Sequence, residues 1–379
     1  MNPKLEWSPE NLRNREKESL YLQKKSRLTG NIILGAVKVI VIGWLLSKAI
    51  TPWTGIYDWK DVFPNYAHRI EDARNANANA FVFGSSTIAH HVIPSVLDSI
   101  THNQNLSWYN FGFLKTVPPE SFYLADQIID NAQKGEIEVL LFEVLPEEEM
   151  NMVDAGNLRH IAQLNLLEAI RRIRHIPWKA PGRSESNWQQ CKLLIQGWTE
   201  HIIGFIKKSN YRTPSPPLIP TTATSGFIEL TPDIWKTGRL STERAEWRIN
   251  MDSLLAQQIF IAQDFDYRTT LDQPVINWNC DGRVEPIINQ MESLHKKCAE
   301  KEIQCLFYFQ KLWDTNGCIY FAALEKWGSG VVIESMGYEN HKELYSKEDR
   351  YGEQHLLKSG AEKLSRDIGN QITARIQEQ

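Results

Sequence analysis

The chain has 379 residues, 42% of them hydrophobic and 23% charged, with a net charge of -4 and a pI near 6.2. That ordinary balance excludes collagen-like, mucin-like and wholly disordered chains, and the length suffices for about two to three domains or one large α/β domain with insertions. No global basic field exists to hold nucleic acid, so none is expected as a partner.

Residues 1–30 form a polar arm carrying seven Lys and Arg. Residues 31–50, NIILGAVKVIVIGWLLSKAI, follow with ten strong aliphatics between Ile32 and Leu46. Inserted into a bilayer these contribute about -3 to -6 kcal/mol, against roughly 2.5–3.5 kcal/mol for Lys38. The segment is therefore expected to be a transmembrane signal-anchor; the alternative is a buried core helix. Trp44, Trp53, Tyr57 and Trp59 stand where an interfacial belt would lie. Only Lys60 and Arg69 follow within twenty residues, so the positive-inside rule places the amino end in the cytosol and the main domain outside, in periplasm or at the cell surface. Residues 51–77 are expected to be a linker, and 78–379 the folded domain.

From about residue 78 strands and helices alternate. AFVFGSS (80–86), LSWYNFGF (106–113), IEVLLFEVLP (137–146), IQCLFYFQKL (303–312) and GVVIES (330–335) read as buried strands. Helices are expected at 119–134, 157–174, 188–207, 284–301 and 357–377. This rhythm predicts an α/β fold, three-layered, with a mainly parallel central sheet. Residues 150–280 read as a mainly helical insertion, with a Pro/Thr/Ser-rich loop over 208–240 that is either a lid or an excursion. An extracytoplasmic site allows disulfides, and one bridge is expected among Cys280, Cys298, Cys305 and Cys318, with Cys191 apart. Thirteen Trp suit core and interface packing more simply than carbohydrate contact.

Two stretches carry chemistry. Phe83-Gly84-Ser85-Ser86-Thr87 ends a strand at the edge where an open parallel sheet binds ligands. A serine there exposes its hydroxyl, and nearby N–H groups can face a developing oxyanion. Tyr351-Gly352-Glu353-Gln354-His355-Leu356 places a histidine just before the last helix, where it can act as a general base. Other features weigh less. His90 and His91 are adjacent, so they cannot share one metal, and a surface or packing role is expected. Glu147, Glu148 and Glu149 read as a solvated loop, and Arg171, Arg172 and Arg174 as a solvated helix face. No Walker A, Rossmann, HExxH or EF-hand pattern is present, so no cofactor or metal is expected.

Together the stretches resemble the SGNH (GDSL-like) hydrolase superfamily. Gly84-Ser85-Ser86 is similar to its first block, with Ser86 at the nucleophile position. Asn110-Phe111-Gly112 is similar to the second block, whose glycine N–H lines the oxyanion hole. Glu353-Gln354-His355-Leu356 with Gly360-Ala361 is similar to the last block. The resemblance implies a flavodoxin-like αβα fold and acyl chemistry by Ser86 and His355, with Asp349 or Glu353 orienting the imidazole. Two departures stand out: Gly352 occupies the place of the family's acid, and the third strand ends Glu143-Val144-Leu145-Pro146 without the oxyanion asparagine. The anchor further resembles SGNH proteins that O-acylate bacterial surface polysaccharides. That implies an acyl-ester or glycan substrate and a multi-pass membrane acyltransferase as partner. The departures leave a second expectation open, an inactive accessory subunit of the same complex.

Overall fold

The computed structural model describes residues 64–113, 116, 120–145, 169–170, 173, 184–204, 224–230, 252–253, 255–267, 284–310, 316–350 and 355–377, together with Lys38. The chain divides into two compact units, residues 1–58 with 202–209 and residues 59–201 with 210–379. The sheet belongs to the second. The expected anchor, 31–50, lies outside the described residues apart from Lys38, and among those described no helix is long and apolar enough to cross a membrane.

The strands are β1 (Ala80–Gly84), β2 (Trp108–Gly112), β3 (Val139–Glu143), β4 (Gln304–Phe309) and β5 (Val332–Glu334). All pair in parallel, in the order β2-β1-β3-β4-β5. That is the order of a doubly wound, flavodoxin-like sheet, whose switch point falls between β1 and β3. Gly84 lies beside Gly112, and Phe83 beside Phe142. All five expected strands form, each within the stretch predicted for it.

The helices are α1 (Pro64–Asn75), α2 (Ser86–His91), α3 (Pro94–Thr101), α4 (Glu120–Asn131), α5 (Ser184–Gly204), α6 (Val284–Glu300), α7 (Asn316–Trp327) and α8 (Lys358–Gln377). Residues 255–267 are also helical. In the insertion, α5 forms as expected, and only 224–230 of the 208–240 loop is described. The stretch expected as a linker contains α1, whose Arg69 is buried against the end of β2. The folded domain thus starts before residue 78. The sequence PNYAHRIEDARN is largely polar, and it buries Arg69 together with Ala73.

Alternation along the strands sorts the core into two faces. Ala80, Val82, Trp108, Val139, Leu141, Leu306, Tyr308 and Ile333 pack with Ile88, Leu97, Leu364, Ile368 and Ile372 from α2, α3 and α8 and with Val92 just after α2. On the other face Phe83 stacks on Phe111 and Phe142 at 6.0 Å, Phe122 of α4 lies 4.5 Å from Phe142, and Trp327 of α7 lies 5.2 Å from Phe307. Each such buried side chain contributes about 1.5–3 kcal/mol. Trp108 is wholly core, its Nε1–H donating to Thr101 Oγ1 at 2.9 Å. Cys318 is disulfide-bonded. Cys191, Cys298 and Cys305 are free, and Cys280 lies outside the described residues. The hydrogen bond to Cys298, with burial, pushes the Cys305 thiol well up.

Candidate active site at the sheet switch point

β1 ends at the switch point, and Gly84 is small for a measurable reason. A Cβ there would stand 2.4 Å from Glu143 Oε2 and 2.5 Å from Ile88 Cγ1. Glu143, 2% exposed at the end of β3, uses that space to accept the Ser85 N–H at 2.7 Å. Ser85 then caps α2. Its backbone is extended, at φ -84° and ψ -165°, and its hydroxyl accepts from Thr87 N–H at 3.1 Å. Ser86 is therefore the first helical residue. Among the described residues neither its N–H nor its hydroxyl has a hydrogen-bond partner.

One helical turn places His90 on the same face as Ser86. His90 Nδ1 donates to Ile228 O at 2.8 Å, which leaves Nε2 with the lone pair. Burial lowers its pKa; the bond to Ile228 O works against that, and nearby Arg69 adds to the lowering. The last loop brings His355 against this pair. Its ring centroid lies 5.1 Å from that of His90 and 5.5 Å from that of His91, both edge-on. Neither His90 nor His91 is a surface residue: both are buried, at 5% and 2% exposed. Among the described residues no hydrogen bond joins Ser86 to His355; His355 Nδ1 faces His91 Nε2 at 3.4 Å. Catalytic hydrogen bonds commonly tighten only when substrate binds.

Asp349 is not brought to His355. Burial alone would raise its pKa, but hydrogen bonds from Lys363, Ser359 and Ser346 hold the carboxyl below its usual range. Its carbonyl accepts from Leu357 N–H at 2.8 Å, and Arg350 bridges Leu356 in antiparallel fashion. Asp349 thus anchors the base of the loop that carries His355. Glu353 lies outside the described residues.

Asn110 and Gly112 are buried in the floor. Asn110 Nδ2 donates to Ile88 O at 2.7 Å and Val92 O at 2.6 Å, tying down the carboxyl end of α2. Asn110 Oδ1 accepts the Gly112 N–H at 2.7 Å. The N–H that the resemblance assigns to an oxyanion hole is therefore engaged within its own turn. A Cβ on Gly112 would meet Ala89 N at 2.2 Å, so the glycine lets α2 sit directly on β2.

No protein-family model, curated protein or solved structure matches the chain. Its chemistry must be argued from these contacts.

Three contributors were not evident from sequence. Glu143 is one, although a lone acid closing an apolar strand run at a switch point is a legible signal. Arg69 is the second. Its guanidinium, 5% exposed, donates to the carbonyls of Gly112 and Asn110 and to Gly226 O at 2.9 Å, and lies 4.8 Å over the Phe113 ring. The third is the segment 225–230. It pairs Ile228 N–H with Ala89 O at 2.9 Å and offers Ile228 O to His90, so part of the expected loop forms a wall beside the histidines. A cavity of about 290 Å³ lies at the opposite ends of the strands, lined by Asn79, Phe81 and Ile137, away from this chemistry. Among the described residues no His, Cys, Asp and Glu cluster is arranged to hold a metal.

Proposed function

We propose that the chain is a membrane-anchored, extracytoplasmic serine esterase or O-acyltransferase of SGNH type, acting on a cell-surface glycan. The observation that supports this reading is that His355, from the loop before α8, packs against the histidines of α2, the helix that begins with Ser86. His355 sits against His90, one turn below Ser86, although the loop and helix are 264 residues apart. The disulfide at Cys318 suits an oxidising compartment.

In this reading Ser86 Oγ attacks the acyl carbonyl and its proton passes to His355 Nε2. The Ser86 N–H, unbonded at the first turn of α2, faces the oxyanion. As the tetrahedral intermediate collapses, His355 returns the proton to the leaving alcohol. Water or a sugar hydroxyl, deprotonated in turn by His355, then takes the acyl group. With the Gly112 N–H engaged by Asn110, the oxyanion lacks one donor. Such a loss typically lowers the rate by about 10²–10³. The engaged Gly112 N–H also favours a second reading, an accessory subunit that keeps the fold to dock a membrane acyltransferase.

A fluorophosphonate serine probe on the full-length chain separates the two. Labelling of wild type that disappears in Ser86→Ala and in His355→Ala is the expected result. A folded wild type that takes no label removes the enzyme reading and leaves the accessory one.

A further inference from the structure

We propose that His91 is the positioning residue that fixes the tautomer of His355, in the place a carboxylate fills in a Ser-His-acid triad. The inference depends on the esterase reading only for its consequence at Ser86.

The argument starts from a donor whose direction is not in question. Leu356 N–H points at His91 Nε2 at 2.9 Å. A backbone N–H only donates, so Nε2 of His91 carries a lone pair. The proton of this neutral imidazole is then on Nδ1. The atom placed 2.5 Å from Nδ1 is Gln310 Nε2, a donor that would face this N–H head-on, while Gln310 Oε1 has no hydrogen-bond partner among the described residues. An amide can be turned to present its oxygen, whereas Leu356 N–H cannot be reversed, so the network sets Gln310 Oε1 toward the ring.

The same lone pair decides His355. His355 Nδ1 stands 3.4 Å from His91 Nε2. A lone pair on both nitrogens would repel. His355 Nδ1 therefore carries the proton and shares His91 Nε2 with Leu356 N–H as a three-centre bond. That leaves His355 Nε2 unprotonated, which is the atom a general base needs. The relay runs from Gln310 Oε1 to His91 Nδ1–H, then from His91 Nε2 to His355 Nδ1–H, and ends on His355 Nε2. When Ser86 Oγ bonds to carbon, its proton moves to His355 Nε2. No proton moves on to His91, whose Nε2 already faces Leu356 N–H. His91 is 2% exposed at the end of α2. α2 also begins with Ser86, so one short helix holds both the nucleophile and the group that aims its base.

The test is imidazole ¹⁵N NMR of full-length, histidine-labelled protein at pH 8, with His355 assigned from its loss in His355→Gln. Wild type should show His355 protonated at Nδ1. His91→Leu should move it toward the Nε2–H form and slow probe labelling at Ser86 by about 10–100-fold. His91→Gln places an amide oxygen near the position of Nε2 and should restore the Nδ1–H form and part of the rate. Two results overturn the proposal: an Nε2–H tautomer in wild type, or an Nδ1–H tautomer that survives His91→Leu, with its loss in Glu353→Gln then assigning the role to Glu353. Should His91→Leu not fold, the wild-type tautomer together with the His91→Gln and Glu353→Gln spectra decides. A tautomer governed by His91 in a protein that takes no probe would uphold the positioning and remove the esterase reading.

Discussion

Gly84→Ala concentrates the reasoning about the nucleophile turn in a single methyl group. The new Cβ would stand 2.4 Å from Glu143 Oε2, 2.5 Å from Ile88 Cγ1 and 2.7 Å from Glu143 Cβ, where ordinary contact begins at 3.4 Å. Each neighbour must retreat by about 1 Å. Glu143 Cβ belongs to β3, paired on both sides, and cannot swing away. Overpacking of this kind costs about 1–3 kcal/mol. Displacing the Glu143 carboxylate also breaks its bond from Ser85 N–H, a further loss of about 1.5–3 kcal/mol for a charged partner. The sum is roughly 2.5–6 kcal/mol, a large fraction of a typical 5–15 kcal/mol stability, and at about 2–4 °C per kcal/mol it should lower Tm by about 5–24 °C. The assay is thermal unfolding by circular dichroism, alongside Gly330→Ala, whose Cβ meets nothing within 4 Å. Gly330→Ala should match wild type or exceed it slightly, by about 0.4–1 kcal/mol. If both variants melt within a degree of wild type, the close packing of Glu143 behind Gly84 is wrong.

The remaining predictions concern the supports around the site. His341 lies 3.3 Å from Glu334 Oε1 and 3.3 Å from Asp367 Oδ1. Burial lowers its pKa, but the two carboxylates outweigh that and hold it at about 10, against an ordinary value of 6.5. The stabilisation is therefore full below about pH 6.5 and lost as pH rises through 10. The full linkage of about 5 kcal/mol is cut to about 2–3 kcal/mol by solvent at the carboxylates. Urea unfolding of wild type and His341→Gln should differ by that amount at pH 6 and converge near pH 10; a pH-independent difference would refute the charge network. Arg69→Met should release the carbonyls of Gly112, Asn110 and Gly226 and speed limited proteolysis near 224–230 about tenfold, equivalent to about 1.4 kcal/mol. Unchanged cleavage there would mean that Arg69 does not hold the segment.

The sequence by itself determined the fold class and the strands. Continuous apolar runs such as Val139–Phe142 and Cys305–Phe309 can be satisfied only by burial on both faces, which dictates a parallel sheet flanked by helices. It also placed Ser86 and His355 at strand and helix ends, because Gly-Ser-Ser and the residues before a terminal helix are local turn and cap signals. What a side chain meets across the fold was not local, and only the tertiary structure decided it. Arg69 sits in a polar stretch with no periodic signature, yet it gathers three carbonyls from two distant segments. Asp349 is close to His355 in sequence but spends its carboxylate on Lys363. The Gly112 N–H turns to Asn110, two residues away, because the close approach of α2 leaves the amide facing that side chain. His91 and His355 lie 264 residues apart, and nothing in either local sequence pairs them. They meet because the β1–β3 switch point and the loop before α8 end on the same edge of the sheet, so the partners of the site follow from topology rather than from spacing.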